Sequence, residues 1–261
     1  MKRNLHSLLC IFIISISGVY MLYTLLKPTY THTVISWGLI PNTHEQIPAA
    51  TIGGSQLLHE YKGLYVGVPQ DRSVYFTFDL GSESGYTDDI LNILKDNNIK
   101  AIFFLCSGYL TEKHLIDRMI TEGHLIGNHT DKHKDLPTLS SKGIKKEIVA
   151  FQQKFKKQYP HCEIKYFRPP EGRFDERVLK RASAEGLRTM LWSIAIRDWE
   201  ETPMDVEHNL EIIIQRLHPG AIILLHIRNS GASELLMELL PRIAEKGYRA
   251  GHPDELSSGI F

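Results

Sequence analysis

Two histidines, His129 and His133, stand four positions apart in the run Gly-Asn-His129-Thr-Asp-Lys-His133, directly after the apolar pair Leu125–Ile126. That spacing lets both imidazoles converge on one point, either on a helical turn or in a tight loop after a strand. Imidazole is the commonest side-chain ligand for a borderline metal such as zinc, so the pair is a candidate metal site. In a chain with 13 histidines the spacing alone is weak evidence. Other polar groups make it stronger. Phe78-Asp79 closes an apolar run, Arg168-Pro-Pro-Glu171-Gly172 follows a second, Asp198-Trp199 a third, and Leu224-Leu225-His226 ends a fourth. Each also has an ordinary structural use: Asp79 could form a turn or cap, Arg168-Pro-Pro could be a stiff connection, and His226 a satisfied core histidine.

The elements that must position these residues are legible as an alternation. Val74–Phe78 and Ala101–Leu105 are short β-favouring runs, and Ala221–Leu225 is the strongest strand candidate. His124–Ile126, Lys165–Phe167 and Thr189–Trp192 read as shorter strands. Between them lie helical patterns over Thr87–Lys95, Leu115–Glu122, Ser141–Gln158, Asp175–Glu185, Val206–Leu217 and Ser233–Lys246, several closed by Gly. Repeated strand-then-helix units of this length imply an α/β fold with a parallel sheet, open or closed as a barrel. Each polar motif falls where a strand ends, which is where the loops of parallel α/β folds gather functional groups.

The 261 residues carry no formal net charge, with 30 basic and 30 acidic side chains. That balance argues against a nucleic-acid surface, which needs clustered Lys and Arg. The lysines between Lys142 and Lys157 alternate with Ile148, Phe151 and Phe155 at helical spacing, and so form the wet face of an amphipathic helix. At the N-terminus, Lys2 and Arg3 precede an uncharged stretch from Leu8 to Leu26, 19 residues long. That is enough to cross a bilayer, with the remainder exported. No A-x-A-like cleavage signal stands out, so a single-pass anchor in the cell membrane is favoured over a cleaved signal peptide. Residues 1–26 are therefore read as a transmembrane segment, 27–72 as a stalk and lead-in, and 73–261 as the extracytoplasmic domain. Three cysteines make no disulfide framework, although a Cys106–Cys162 bond stays open.

In order, Thr77-Phe78-Asp79-Leu80-Gly81, His129-Thr130-Asp131-Lys132-His133, Arg168-Pro169-Pro170-Glu171-Gly172, Asp198-Trp199 and Leu224-Leu225-His226 resemble the motifs of the polysaccharide deacetylases, the NodB-homology group or carbohydrate esterase family four. They span about Ser73 to Leu256. Trp37-Gly38, Tyr65-Val-Gly67, Glu83-Ser-Gly85-Tyr86-Thr87 and Arg197-Asp198-Trp199 resemble the sporulation branch that acts on N-acetylmuramic acid of peptidoglycan. The resemblance implies a distorted (β/α) barrel, a divalent metal such as zinc, and a peptidoglycan glycan strand as partner. It implies hydrolysis of an N-acetyl group toward muramic δ-lactam in spore cortex, with N-acetylglucosamine polymers as the neighbouring alternative. Amide hydrolysis needs an activated water, a stabilised oxyanion and an acid for the leaving amine. By resemblance Asp79 is the base, His129 and His133 are metal ligands, and Arg168 holds the base ionised. The Glu171 N–H faces the oxyanion, His226 is the acid with Asp198 as its carboxylate partner, and Trp199 and Leu224 wall the groove.

Leu80 departs from the pattern. The family commonly has Asp there, or Asn in the muramic-acid branch, as a third ligand, whereas Leu has no donor atom. Catalytic zinc normally has three protein ligands. Three outcomes follow: two histidines hold the metal weakly, a nearby carboxylate (Asp131 or Glu83) substitutes, or the groove binds glycan without cleaving it. Returning Asp to position 80 is expected to tighten metal binding.

Overall fold

The computed structural model describes residues 33–41, 45–69, 71–200 and 203–257. The apolar stretch read as a membrane anchor lies outside them. Among the described residues no helix is long and apolar enough to cross a membrane.

The strand through the centre is β4 (Ser73–Leu80), flanked in parallel by β11 (Ala221–His226) and β5 (Ile102–Leu105). Beyond β5 come β6 (Leu125–Asn128), β7 (Tyr166–Phe167) and β9 (Arg188–Thr189). On the other side of β11 lies β10 (Ile194–Ala195). Buried on both faces, these strands read as nearly continuous apolar runs rather than alternating ones. Val74, Phe76, Phe78 and Leu80 of β4 face the helix layer and its large apolar cluster. The alternate residue Tyr75 joins Ile102, Phe104, Tyr166 and Ile222 inside the curve of the sheet.

Helices cover the outer face as expected: α2 (Thr87–Asp96), α3 (Lys113–Thr121), α4 (Ser141–Gln158), α5 (Glu176–Ala184), α6 (Val206–Gln215) and α7 (Gly231–Glu245), after a short α1 (Gly54–Glu60) in the lead-in. The lysine-rich α4 starts at Ser140, whose hydroxyl accepts from the Gly143 N–H at 3.2 Å. Its Ile144, Ile148, Phe151 and Phe155 are buried, each contributing about 1.5–3 kcal/mol.

The sheet curves into a half-barrel and does not close. Strands β9 and β10 form its two edges, and no pairing joins them. In place of one strand over Thr189–Trp192, the chain crosses the opening between two short strands. The carbonyls of Met190 and Leu191 face the Arg168 guanidinium, and Met190 makes an isolated parallel bridge with Leu64 rather than extending a strand. The lead-in also contributes strands: β1 (Ile35–Ser36) pairs antiparallel with β8 (Arg173–Phe174), and β2 (Leu39–Ile40) with β3 (Ala49–Ala50). Cys106 and Cys162 are free thiols.

Candidate active site

The β4–β11 register sets Asp79 beside His226 at the C-terminal ends of adjacent parallel strands. Both face the inside of the curve, and with His129, His133, Glu171, Trp199 and Leu224 they line one groove of about 720 Å³. Seven residues chosen from sequence thus meet in a single cavity, and the other two, Arg168 and Asp198, stand directly behind it.

Asp79 Oδ1 accepts from Arg168 Nη1 at 2.7 Å, and neither side chain has appreciable exposure. Burial alone would push the Asp79 carboxyl up. The Arg168 guanidinium outweighs it and holds the group below the usual carboxylate range, so Asp79 is ionised at neutral pH. Arg168 is fully buried, and its guanidinium lies 4.1 Å from the Phe104 ring centroid and 5.7 Å from that of Trp192. Its Nε donates to Met190 O at 3.1 Å, so a cation with no access to water is saturated by a carboxylate, carbonyls and π faces.

His129 is buried in the loop that follows β6. Its Nδ1 lies 2.9 Å from the Arg168 carbonyl, which can only accept, so Nδ1 carries the hydrogen. Burial lowers this imidazole to about 4, leaving it neutral with a bare Nε2. That Nε2 faces Asp79 Oδ2 at 3.6 Å. With His129 neutral and Asp79 ionised, this contact sets two bare lone pairs face to face and is not an ion pair. The His133 ring meets His129 edge-on, 4.9 Å between centroids. The H-x3-H run is a tight loop, in which the Thr130 hydroxyl accepts from the His133 N–H at 3.0 Å. Thr130 (φ 74°), His133 (φ 52°) and Glu171 (φ 57°) all lie in the left-handed region, and two of these strained residues, His133 and Glu171, line the groove.

His226 Nδ1 and backbone N–H each contact a different oxygen of Asp198 at 2.7 Å. Burial disfavours its charged form, but the Asp198 hydrogen bond and charge, helped by Asp79, raise it above its ordinary value. Nδ1 is committed to Asp198, which leaves Nε2 as the proton donor. Trp199 is half-exposed and stands edge-on to His226, 6.2 Å between centroids. The Arg-Pro-Pro-Glu-Gly loop is held by Gly172 (φ 63°), where a Cβ would come within 2.7 Å of Trp192 and 2.9 Å of Trp37.

The substitute ligands fail. Asp131 pairs with Lys154 at 2.5 Å beside α4. Glu83 accepts from Tyr109 Oη at 2.5 Å, Thr87 Oγ1 at 2.6 Å and the Gly85 N–H at 2.6 Å, and so serves the start of α2. Leu80 is 2 % exposed and packed in the helix-side cluster, on the face of β4 opposite Asp79. An acid that kept the leucine's orientation would meet apolar side chains, so adding a ligand from position 80 requires the side chain to turn from the helix side into the groove. Among the described residues no three His, Cys, Asp or Glu side chains form a complete metal site. His129 and His133 are neighbouring imidazoles at the groove, the two residues that would hold a divalent ion there.

Trp37, Trp192 and Arg228 also line the groove, and sequence reasoning assigned them no role. Trp37 carried a signal in its Trp-Gly pair. It reaches the site because its Nε1 donates to Trp192 O and its N–H to Gly172 O, both at 3.0 Å.

The family model for polysaccharide deacetylases matches residues 67–190. The peptidoglycan-N-acetylmuramic acid deacetylase PdaA of Bacillus subtilis is 33 % identical over 224 residues, 85 % of each chain. The chain belongs to the polysaccharide deacetylase family. The PdaA structure, a family 4 carbohydrate esterase, superposes with a TM-score of 0.81 at 32 % identity, covering 87 % of this chain and 97 % of that one. A peptidoglycan-N-acetylglucosamine deacetylase of Bacillus cereus is 29 % identical over 225 residues, 82 % of this chain and 80 % of its own. A family 4 pseudoenzyme of Bacillus anthracis has a TM-score of 0.69 at 29 % identity, over 74 % of this deacetylase-family chain and 68 % of that one.

Proposed function

We propose that this protein removes the acetyl group from N-acetylmuramic acid of peptidoglycan, releasing acetate and leaving a free amine on the glycan strand. The observation that carries the reading is the Asp79–His226 pair, adjacent across two parallel strands, with opposite proton roles fixed by separate buried partners. Asp79, held ionised by Arg168, takes a proton from the attacking water. His226, held protonated by Asp198, gives the Nε2 proton to the departing nitrogen as the C–N bond breaks. Trp37, Trp192, Trp199 and Glu171 line the groove; in this reading the tryptophans wall the sugar ring and the Glu171 N–H would receive the developing oxyanion. His129 and His133 would hold a divalent ion, zinc by ligand chemistry, which when bound would polarise the carbonyl and acidify water.

We further infer that the apolar stretch 8–26 tethers the catalytic domain outside the cell membrane, and that the deacetylated product, a muramic acid with a free amine, proceeds to muramic δ-lactam in spore cortex as the amine closes on the lactyl carboxyl with loss of water. The similarity to PdaA supports the muramic substrate. A second reading, glycan binding without hydrolysis, is favoured by Leu80 and by the similarity to a pseudoenzyme. The test is acetate release by the soluble domain from peptide-free glycan strands, titrated with divalent metals. The proposal expects metal-dependent acetate and new muramic amines. Glucosamine as the sole new amine rejects the muramic assignment, and no acetate with any metal alongside retained glycan binding supports the second reading.

A further inference from the structure

The outward face of α4 is not used by the chemistry above. Lys142, Lys145, Lys146, Lys156 and Lys157 are all exposed there. At 3.6 residues per turn they fall within about 120° of the helix circumference and run about 22 Å along its axis. The opposite face, with Ile144, Ile148, Phe151 and Phe155, is buried, so packing fixes the lysine stripe outward. None of the five ammonium groups has a hydrogen-bond or ion-pair partner among the described residues, whereas nearby Lys134 pairs with Glu147 at 3.4 Å and Lys154 with Asp131 at 2.5 Å. Glu147 is the one acid of α4, and it is buried. The stripe therefore costs stability. Lys142 lies in the first turn, at the positive end of the helix dipole, and repels Lys145 and Lys146 at the i,i+3 and i,i+4 spacings. An acid at such a spacing would remove that cost, as Glu122 does for Arg118 on α3. A bare solvated face gains nothing from the repulsion, but an anionic partner does.

We propose that this stripe docks a linear polyphosphodiester, a thread with one negative charge per repeat, on the outside of the domain and away from the groove. Charge complementarity carries the assignment. The unpaired positive charge forms a line and not a plane. At one flank Lys113 of α3 shares a cavity with Asp117, and at the other Arg181 of α5 pairs with Glu185 at 3.1 Å. A flat lipid surface would press on those balanced flanks as well as on the stripe. Between the lysines the outward positions hold Val149 and Gln153, with no aromatic ring to stack a nucleic-acid base. All five cations are lysines, point charges that follow a thread in any register, and none is the arginine fork that fits a planar carboxylate. The cavity between α3 and the end of α4, about 580 Å³, has Lys157 on its wall and receives the thread where it leaves the stripe.

The test is binding of the full-length protein, in neutral detergent, to a fluorescent glycerol-phosphate oligomer long enough to span the helix. Anisotropy titrations at several salt concentrations compare wild type with K156Q/K157Q and with a variant carrying glutamine at all five positions. Wild type is expected to show a slope of log affinity against log salt near about −3.5, from five neutralised charges at about 0.7 each. K156Q/K157Q should lose about 1.4 of that slope, and the five-glutamine variant nearly all of it, with affinity at low salt at least roughly tenfold weaker. Both variants should melt no lower than wild type, because like-charge repulsion has been removed. A five-glutamine variant that keeps the affinity and slope overturns the proposal. So does polyglutamate bound as tightly as the oligomer, or tighter stripe-dependent binding of single-stranded DNA or of anionic lipid vesicles. The docking does not rest on the deacetylase reading, so a protein that releases no acetate would leave it standing.

Discussion

Replacing Leu80 by Asp tests how β4 presents its last residue. Leu80 is 2 % exposed and packed with Phe78, Leu105 and the helix layer. Removing a buried aliphatic side chain costs about 2–5 kcal/mol. A carboxyl among apolar neighbours titrates up to about 3–5 units above its ordinary value. At about 1.4 kcal/mol per unit, pH 7 then adds up to about 4 kcal/mol. The total is on the order of 5 kcal/mol or more, or a fall of roughly 10–20 °C in Tm for a domain of this size. The sign with pH is specific. The folded variant keeps a proton that the unfolded chain has already released, so the second penalty is small near pH 4 and grows as pH rises toward the folded-state value. Leu80→Asn should lose the packing contribution without the pH-dependent part. Thermal unfolding from pH 4 to 8, with and without zinc, together with calorimetric zinc titration, measures all of this. A Leu80→Asp protein that melts like wild type and binds zinc at least tenfold more tightly would refute the reasoning, because its side chain must then turn into the groove.

Arg168→Met leaves the Asp79 carboxylate buried without its partner and should destabilise by about 3–5 kcal/mol in urea unfolding. The double variant with Asp79→Asn should recover part of that loss. Asp198→Asn removes the carboxylate whose hydrogen bond and charge raise His226, so the alkaline limb of the activity profile should move toward lower pH. Activity requires protonated His226 and falls as pH rises through its folded-state value. Stability from the His226–Asp198 pair is likewise full below the ordinary imidazole pKa and fades through that raised value. A profile unchanged by Asp198→Asn would remove His226 from the acid role.

Much of the site was legible because its chemistry sits at strand ends. An apolar run that stops at Asp79 or His226 gives both the element and the position of the polar group. The α/β alternation and the amphipathic α4 follow from periods of two and 3.6 in the same way. The run through Trp192 misled because it is apolar and β-favouring, yet its carbonyls face Arg168 from a distant loop and Met190 makes an isolated bridge with Leu64. Trp37 joined the groove through bonds to residues more than a hundred positions away, which no local pattern encodes.

By itself the sequence determined which reactive groups exist, which strands end at them, and that position 80 has no donor atom. Only the tertiary structure decided that Leu80 faces the helices while Asp79 faces the groove, that Glu83 and Asp131 are spent elsewhere, and that the half-barrel stays open under an arginine. The physical reason is that a side chain's face depends on strand register and its charge on the partners it meets, and both are set by contacts between segments far apart in the chain.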